Sequence, residues 1–282
     1  MKYDLSVIIT ARNEEFLART VEGVLRNKRG NTEVIVICDG NWPNPPIEDH
    51  PDVTMIYHSS SIGQRAAINE AALLSTAKFI MKLDAHCIVD EGFDVKLMAD
   101  CEPNWTVIPR MYNLHAFDWV CDSCKDRKYQ GPTPAKCDKC GGKMKREMIW
   151  KPRLHKRSDF MRFDSDLHFQ YWGGLGERPE SQGELAETMS FVGACFFMHR
   201  KYYWDLGGSE EEWGSWGQQG TEWACKTWLS GGRVMVNKKT WFSHLFRTQG
   251  GDFGFPYPQS GNQVEHARNR SKEFFLKGQW PK

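Results

Sequence analysis

The first part of the chain alternates short apolar runs with helical repeats, and this alternation restricts the possible fold more than any other feature. Residues 5–10 form a continuous apolar run that ends in polar residues, as expected of a strand buried on both faces. The same patterns predict further strands and intervening helices, the strands over 33–38, 53–57 and 79–83 and the helices over 17–25 and 63–74. Such alternation predicts an α/β fold with a mostly parallel central sheet flanked by helices.

The second half of the chain is less regular. Its patterns predict three strands and two helices, the strands over 191–198, 233–236 and 241–246 and the helices over 200–206 and 219–229. The 282 residues leave room for one large domain or two small ones, and no internal repeat divides them. We therefore expect one domain, built from residues 1–111 and 173–282, that carries an insertion over residues 112–172.

Four of the nine cysteines lie in this insertion with the spacing Cys-x2-Cys-x12-Cys-x2-Cys: Cys121, Cys124, Cys137 and Cys140. Each Cys-x2-Cys turn points two sulfur atoms at one centre, and in a reducing compartment such pairs indicate a four-thiolate zinc site rather than disulfides. We expect a zinc knuckle with one structural Zn²⁺, because so small a segment cannot build a core of its own. The remaining cysteines are expected to be buried free thiols: Cys38, Cys87, Cys101, Cys195 and Cys225.

The charge of the chain is unevenly distributed. The whole chain has 37 Lys and Arg against 36 Asp and Glu, whereas residues 110–157 have 13 against 5, a balance of +8 on a body of −7. Aromatic residues such as Tyr129 and Trp150 are interleaved with these charges. A basic block with aromatic rings suits contact with phosphates and stacking on bases, which favours a nucleic acid or another acidic partner. A solvated surface insertion without a partner explains the same charges.

Two further features concern the cellular location of the protein. It contains no run of about 18 apolar residues, so no membrane-spanning segment is expected. The N-terminus leads directly into the first predicted strand, which leaves no room for the apolar region of a signal peptide. The expected location is therefore the cytoplasm, either of a bacterium or of a phage-infected host.

A polar motif, Asp84-Ala85-His86, follows the strand predicted over residues 79–83. Alternate residues of an extended chain lie on one face, so the carboxylate and the imidazole can reach the same metal ion. A mixed oxygen and nitrogen ligand set suits Mn²⁺ or a similar divalent ion, with positions left open for the oxygens of a substrate diphosphate. Alternatively, Asp84 caps the next helix and His86 packs against it.

Many segments of the sequence resemble a known family, and they occur in the same order along the chain. The similarity runs through residues 5–14, the strand that ends at Asp39, the helix that begins at Gly63, and residues 83–86, and it resumes at 192–196, 206–207, 216–217, Glu222, 231–233 and 243–247. These segments are similar to GT-A-fold glycosyltransferases of the family 2 type, especially the catalytic domain of polypeptide N-acetylgalactosaminyltransferases. The resemblance implies the GT-A fold, with residues 1–111 as its nucleotide-sugar half and 173–282 as its acceptor-side half and C-terminal tail.

The resemblance also implies roles for individual residues. Asp84 and His86 match the metal-binding Asp-x-His of that family, and His244 matches its third protein ligand, so that a diphosphate completes the coordination of the ion. The nucleotide-sugar pocket is then lined by matching residues: Thr10, Arg12, Glu14, Asp39 and Asp84. Arg247 is placed to assist the leaving phosphates, and Glu222 matches an acidic position near the sugar and the acceptor. One departure is Gln219, which stands where the family has a glutamate within Trp-Gly-Gly-Glu-Asn.

The activity that the resemblance implies is transfer of a sugar from a nucleoside-diphosphate sugar, expected to be a UDP-sugar, to an acceptor hydroxyl. Retention of configuration is expected and needs no strong separate base, whereas inversion needs a carboxylate, for which Glu222 is the candidate. The basic insertion favours a nucleic-acid acceptor, and we expect a hydroxymethylated pyrimidine in phage-type DNA. Two alternatives remain, a transferase that acts on a glycan, lipid-linked or protein acceptor, and a non-catalytic zinc-ribbon nucleic-acid-binding protein on a degenerate transferase fold.

Overall fold

The computed structural model describes residues 2–247 and 261–280. The strands are β1 Leu5–Ala11, β2 Thr32–Asp39, β3 Val53–His58, β4 Phe79–Asp84, β5 Cys87–Val89, β6 Trp105–Cys121, β7 Arg127–Tyr129, β8 Met144–Ser158, β9 Met161–Phe163, β10 Phe169–Tyr171, β11 Leu185–Glu187, β12 Cys195–His199 and β13 Arg233–His244. The α-helices are α1 Leu17–Asn27, α2 Gln64–Leu74, α3 Phe93–Asp100, α4 Arg200–Asp205, α5 Gln219–Leu229 and α6 Gly261–Leu276.

The central sheet is mixed, which corrects the expectation of a mostly parallel one. Its main path runs β11-β13-β6-β12-β4-β1-β2-β3. Pairing is parallel among β1, β2, β3 and β4, as the strand–helix alternation predicts, and also between β6 and β13. The other partners of β4, β6 and β13 run antiparallel to them. A short connection joins β6 to β7, whereas antiparallel partners such as β4 and β12, or β5 and β13, come from distant parts of the chain.

Two predicted strand boundaries in the second half also need correction. Residues 233–236 and 241–246 were expected as separate strands, but β13 runs continuously to His244, with a register shift between Asn237 and Trp241. An irregularity of this kind bends a strand without ending it. The strand predicted over 191–198 begins only at Cys195, and the preceding residues form a loop beside the end of β4.

The insertion continues the central sheet. Strand β6 is 17 residues long and crosses the predicted boundary between residues 111 and 112, and its outer half pairs with β7 and β8. The division into three segments therefore stays a prediction, but the segments share one sheet. The zinc-knuckle cysteines lie at the far end of this extension, where β6 ends and β8 begins.

The apolar side chains form one main core and two smaller clusters. The main core contains all of the apolar residues of β1 and surrounds the parallel strands. A second cluster, here called the junction cluster, lies under the insertion: Phe16, Ile88, Leu114, Ala116, Phe117, Trp119, Cys121, Cys137, Met144 and Leu245. A third cluster is small and separate: Phe160, Leu175, Ala186 and Val236. No helix among the described residues is long and apolar enough to cross a bilayer.

Candidate active site

Strand pairing brings together two polar segments that are far apart in the sequence. Strand β4 ends at Asp84, and His86 follows two residues later. Strand β5 then pairs antiparallel with the end of β13, so that Cys87 lies opposite His244. The backbone N–H of Leu245 donates to the carbonyl of His86 at 3.1 Å and closes this pairing. From α1, the Thr20 hydroxyl donates to the carbonyl of Ala85 at 3.0 Å. The turn that carries His86 is thus fixed from two sides.

Asp84, His86 and His244 converge, as the resemblance implied. The His244 Nε2 lies 3.2 Å from Asp84 Oδ2 and 3.0 Å from the His86 Nε2, and the ligand atoms of all three residues lie within 4.8 Å of one another. Burial lowers the pKa of His244 to about 4, so the ring is neutral near pH 7, as a metal ligand must be. The two nitrogens and the carboxylate fit a divalent ion such as Mn²⁺.

Lys82 is a part of this site that the sequence analysis missed. Its side chain is buried, and its ammonium pairs with Asp84 and donates to the carbonyl of Gly193 at 2.7 Å. Burial alone would raise the pKa of Asp84, but Lys82 together with His244 and His86 outweighs this effect and holds the pKa well below its usual range. A lone lysine inside the otherwise apolar run Phe79–Leu83 was the available signal, because a buried lysine needs a partner.

The three residues lie beside a cavity of about 540 Å³. Five more of the predicted site residues line it: Thr10, Arg12, Glu14, Gln219 and Arg247. Its wall also includes the loop before β12 and residues 216–221 at the start of α5. The cavity therefore lies beyond the carboxyl ends of β1 and β4, which is where open α/β sheets bind their ligands.

Glu14 and Arg247 form an ion pair on the rim of this cavity. Glu14 Oε1 also lies 3.4 Å from the His86 Nδ1. Burial alone would raise the pKa of Glu14, but His86 and Arg247 together lower it, so the carboxylate stays charged. Glu14 thus orients a side chain of the candidate metal site and the arginine that faces the cavity.

Comparison with protein families bears directly on this site. Residues 6–118 match the family described as Glycosyl transferase family 2. This match covers less than half of the chain, so the likeness to family 2 glycosyltransferases holds for residues 6–118, here called the family 2 domain. The matched residues include Thr10, Glu14 and the Asp84/His86 pair, whereas His244 and Arg247 lie beyond them.

The chain that carries this family 2 domain is similar to longer curated proteins. It is 23% identical over 290 residues to the putative polypeptide N-acetylgalactosaminyltransferase 13 of Drosophila melanogaster, which covers 95% of this chain and 46% of that protein. It is 25% identical over 284 residues to polypeptide N-acetylgalactosaminyltransferase 3 of Homo sapiens, covering 94% of this chain and 39% of that protein. The chain thus spans less than half the length of these relatives.

A solved structure confirms the fold of the family 2 domain and of the segments that follow it. The crystal structure of GalNAc-T7 with UDP, GalNAc and Mn²⁺ superposes with a TM-score of 0.63 at 17% identity, covering 97% of this chain and 50% of that one. The GT-A-like α/β architecture is therefore shared over 97% of this chain.

Asp39 lies outside the cavity of the family 2 domain, although it was expected to contact the nucleotide. Its buried carboxylate accepts hydrogen bonds from the Ser61 hydroxyl at 2.8 Å and from the backbone N–H groups of Ile62 and Gly63 at 2.6 and 3.1 Å. These bonds fix the turn in front of α2, from which Gln64 reaches the cavity wall. Asp39 therefore shapes the site through this turn.

Glu222 does not fit its expected role as an acceptor base. Its side chain is fully buried, outside the cavity, and accepts from the Arg65 Nε at 2.8 Å, while Lys226 lies 3.3 Å away. Burial would raise the pKa of Glu222, but Arg65 and Lys226 outweigh it and lower the pKa. Arg65 also donates to the carbonyls of Gly214 and Gly217, so this ionic network holds the loop beside the cavity. A base must reach the acceptor, and Glu222 has no such access.

Gln219, in contrast, faces the cavity. It is the first residue of α5 and is 9% exposed, and its Nε2 has no hydrogen-bond partner within the described residues. Thr10, which also lines the cavity, has a similarly unpartnered hydroxyl. A buried polar atom without a partner is rare and costly, so both atoms are free to bond to a ligand.

The four knuckle cysteines converge as predicted. Their sulfur atoms lie within 4.8 Å of one another, with 3.4 Å between Cys121 and Cys140 and 3.7 Å between Cys124 and Cys137. Zn–S bonds of about 2.3 Å in a tetrahedron place sulfurs about 3.8 Å apart, so the cluster fits zinc. Hydrogen bonding from the Cys124 backbone lowers the pKa of Cys121 to about 6, which favours the thiolate that binds metal.

Proposed function

We propose that the chain is a metal-dependent glycosyltransferase that moves a sugar from a UDP-sugar to an acceptor hydroxyl. The observation that carries this proposal is the convergence of Asp84, His86 and His244 at the cavity of a family 2 domain. The names of the similar curated proteins, which are N-acetylgalactosaminyltransferases, support the same reaction class. GalNAc-T7, which shares the fold, was crystallised with UDP, GalNAc and Mn²⁺.

The residues of the site suit the departure of a nucleoside diphosphate. A bound Mn²⁺ would supply Lewis-acid stabilisation of the negative charge that develops on the leaving diphosphate. Arg12 and Arg247 face the same cavity and add positive charge where that group would lie. Lys82 balances the charge of Asp84 from behind, and Glu14 orients His86 and Arg247. Gln219 and Thr10 offer unpartnered polar atoms to the donor.

We further propose that the transfer retains the configuration of the sugar. Among the described residues that line the cavity, the carboxylates are those of Glu14 and Asp84, and both are held by cations. Inversion needs a carboxylate that is free to take the acceptor proton, and Glu222 lies outside the cavity. The absence of such a base from the described wall favours retention. An NMR measurement of the anomeric coupling in the product tests this proposal, and an inverted linkage would refute it.

A donor panel tests the reaction itself. Release of nucleoside diphosphate is measured with a series of nucleotide sugars, with Mn²⁺ present or chelated. We expect release from a UDP-sugar that depends on Mn²⁺ and falls at least about a hundredfold in Asp84→Asn. The matched control is Asp205→Asn, which removes an exposed carboxylate paired with Lys201 and should leave the rate unchanged. No turnover of any donor, despite Mn²⁺ binding, would support the non-catalytic alternative instead.

For the acceptor we propose a nucleic acid, and the ion pairs of the insertion identify the cations that are available to it. At the knuckle end of the basic block, Lys145 pairs with Asp122 and Arg146 with Glu15. Lys151 and Arg153, further along β8, have no carboxylate within ion-pair distance in the described part of the chain. Knuckle lysines such as Lys139 and Lys143 also lack an ion pair among the described residues, and Lys151 and Arg153 are free cations on the middle of β8.

Strand register places these cations next to the metal-binding residues. His244 of β13 pairs with Asn113 of β6, which in turn pairs with Arg153 of β8, so the three form one row across neighbouring strands. Strands lie about 4.8 Å apart, which puts the Arg153 backbone about 10 Å from that of His244. A side pocket of about 190 Å³ joins them, lined by Asn113, Arg153 and His244 and by the Tyr129 ring, over which the Arg153 guanidinium lies at 4.6 Å.

A nucleic-acid strand suits the surface around Lys151, Arg153 and Tyr129 because it offers phosphates to the cations and bases for stacking. Lys151 and Arg153 are alternate residues on one face of β8, which suits successive phosphates, and Tyr129 is 41% exposed for stacking. The specific acceptor that we propose is a hydroxymethylated pyrimidine in phage-type DNA, extruded from the duplex to reach the cavity. Such an acceptor would place the reaction in the cytoplasm of a bacterium or of a phage-infected host, and this location belongs to the proposal.

The acceptor proposal has its own test. Transfer of labelled sugar is measured onto DNA with hydroxymethylated pyrimidines, onto unmodified DNA, and onto peptide and glycan acceptors. We expect the modified DNA to be labelled and Arg153→Gln to raise its KM without changing donor hydrolysis. The matched control is Lys128→Gln, which removes an exposed lysine paired with Asp138. Labelling of peptide or glycan alone would refute the nucleic-acid acceptor while leaving the transferase proposal intact.

A further inference from the structure

The junction cluster joins the zinc knuckle to the candidate metal site. Cys121 and Cys137, one from each half of the knuckle, are buried members of this cluster. Phe16, Ile88 and Leu245 are members as well, although they come from three other parts of the chain. One apolar cluster therefore contacts both the knuckle and the central sheet.

These three apolar residues are direct neighbours of site residues. Phe16 comes two residues after Glu14, Ile88 comes two residues after His86, and Leu245 follows His244. With so short a stretch of backbone between them, the position of each apolar side chain limits the position of the site residue beside it. The cluster therefore supports three of the residues that surround the proposed ion.

Further contacts tie the strands of the insertion to the turn that carries Glu14. The Phe16 and Trp150 rings lie 5.1 Å apart between their centroids. Phe117 is 1% exposed, and the Arg146 guanidinium lies 5.3 Å from its ring centroid. Arg146 in turn binds the Glu15 carboxylate, with one contact at 3.1 Å. Apolar packing and an ion pair thus fix the same turn.

We propose that zinc bound by the four knuckle cysteines positions the residues of the active-site metal, through the junction cluster. The inference rests on the proposed function, because it concerns the same Asp84, His86 and His244. Zinc fixes the sulfur atoms of Cys121 and Cys137, which form one wall of the cluster. Without zinc, the small knuckle has no core of its own to hold that wall in place. The knuckle is then a positioning element for the metal site.

The first test changes the junction cluster and leaves the zinc ligands in place. Mn²⁺ binding to the full chain is measured by electron paramagnetic resonance, with zinc kept at one equivalent per chain. We expect Phe117→Leu to weaken Mn²⁺ binding about tenfold, as changes in residues that support metal ligands do. The matched control is Phe160→Leu, which makes the same change in the separate third cluster and should leave Mn²⁺ binding unaltered. Equal Mn²⁺ affinities of the two variants would overturn the inference.

The second test removes zinc itself. The double variant Cys124→Ser/Cys140→Ser changes the two exposed cysteines, which are not members of the junction cluster. We expect it to lose zinc and at least about tenfold in Mn²⁺ affinity, while circular dichroism shows the sheet retained. Wild-type protein stripped of zinc should regain its Mn²⁺ affinity when zinc is returned. Unchanged Mn²⁺ affinity without zinc would refute the inference alone, whereas no Mn²⁺ binding by the intact protein would refute the proposed metal site.

Discussion

Among single residues, Glu222 shows how burial changes the role that a sequence motif suggests. Its carboxylate lies between Arg65 and Lys226, where exposure of each of the three side chains is 2% or less. The network connects α2, α5 and the loop at Gly214 and Gly217. Its charges are satisfied by one another, so Glu222 stabilises the cavity wall and takes no proton from an acceptor.

We therefore expect Glu222→Gln to reduce stability far more than it reduces catalysis per folded molecule. Breaking a buried ion pair costs about 3–5 kcal/mol, because the remaining cations lose their partner. The free energy of unfolding from urea titration measures this loss. Glu180→Gln, at an exposed position whose carboxylate lies 3.9 Å from Arg178, is the control and should cost about 0–1 kcal/mol. A variant as stable as the wild type would contradict the structural role.

The same residue predicts a pH dependence of stability. The pKa of Glu222 is lowered in the folded state, so its stabilisation is present above the unfolded value of about 4.3 and is lost as the pH falls through the folded pKa. The difference in unfolding free energy between wild type and Glu222→Gln should be largest near pH 7 and shrink at acid pH. A difference that grows on acidification would show that the folded pKa is raised instead.

Gln219 predicts an effect on the donor. Its unpartnered Nε2 at the cavity wall can donate to a sugar or phosphate oxygen, and such a hydrogen bond contributes about 0.5–1.5 kcal/mol. Gln219→Leu should lower kcat/KM for the nucleotide sugar about tenfold while Mn²⁺ affinity is retained. Steady-state kinetics with varied donor measure this effect. An unchanged kcat/KM would place Gln219 outside donor recognition.

At the scale of elements, the knuckle depends on a glycine at its second turn. A Cβ on Gly142 would lie 2.8 Å from the Ser123 hydroxyl oxygen, 3.0 Å from Cys121 Sγ and 3.2 Å from Cys140 Sγ. The sulfur atoms cannot move away without leaving the zinc geometry. The glycine is therefore required by close approach, which the bare Cys-x2-Cys spacing does not show.

Gly142→Ala should accordingly weaken zinc binding. The contacts are shorter than van der Waals distance, and overpacking of this kind costs about 1–3 kcal/mol, or about five- to 150-fold in zinc affinity. Competition with a chromophoric chelator measures the affinity. Gly173→Ala, where a Cβ meets no atom within 4 Å, is the control. If Gly142→Ala and Gly173→Ala bound zinc equally well, the turn would be able to accommodate a Cβ at residue 142 without disturbing the cysteines.

At the scale of the whole molecule, the cavity joins segments from nearly the full length of the described chain. Thr10 comes from β1, Asp84 from β4, Gln219 from α5 and Arg247 from beyond β13. A ligand that spans these walls binds only the folded state and therefore raises the free energy of unfolding.

UDP together with Mn²⁺ should thus stabilise the chain. At about one hundred times its Kd, a ligand contributes about 2.7 kcal/mol, which raises Tm by several degrees. UDP without Mn²⁺ should give a smaller shift, and Asp84→Asn should lose the dependence on Mn²⁺. Differential scanning fluorimetry measures the shifts. If UDP with Mn²⁺ raised the Tm of Asp84→Asn as much as that of the wild type, nucleotide binding would not depend on the proposed metal site.

Some of this protein follows directly from its sequence. The apolar runs of β1, β2 and β4 predict buried parallel strands, because short continuous apolar runs that end in polar residues suit strands covered on both faces. The Cys-x2-Cys pairs predict the knuckle, since local spacing alone aims each pair of sulfurs. Strand ends predict where Asp84 and His86 lie, and the family resemblance adds His244.

Only the tertiary structure decided the rest, because it depends on contacts between distant segments. Antiparallel pairing between distant strands makes the sheet mixed, and the β5–β13 pairing sets His244 beside His86. Burial removes Glu222 and Asp39 from the cavity and adds Lys82 behind Asp84. Periodicity and spacing predict the secondary structure and the local geometry of a single segment. Which charges meet, and which are shielded from water, is set by packing between segments, and that packing decides the chemistry of the site.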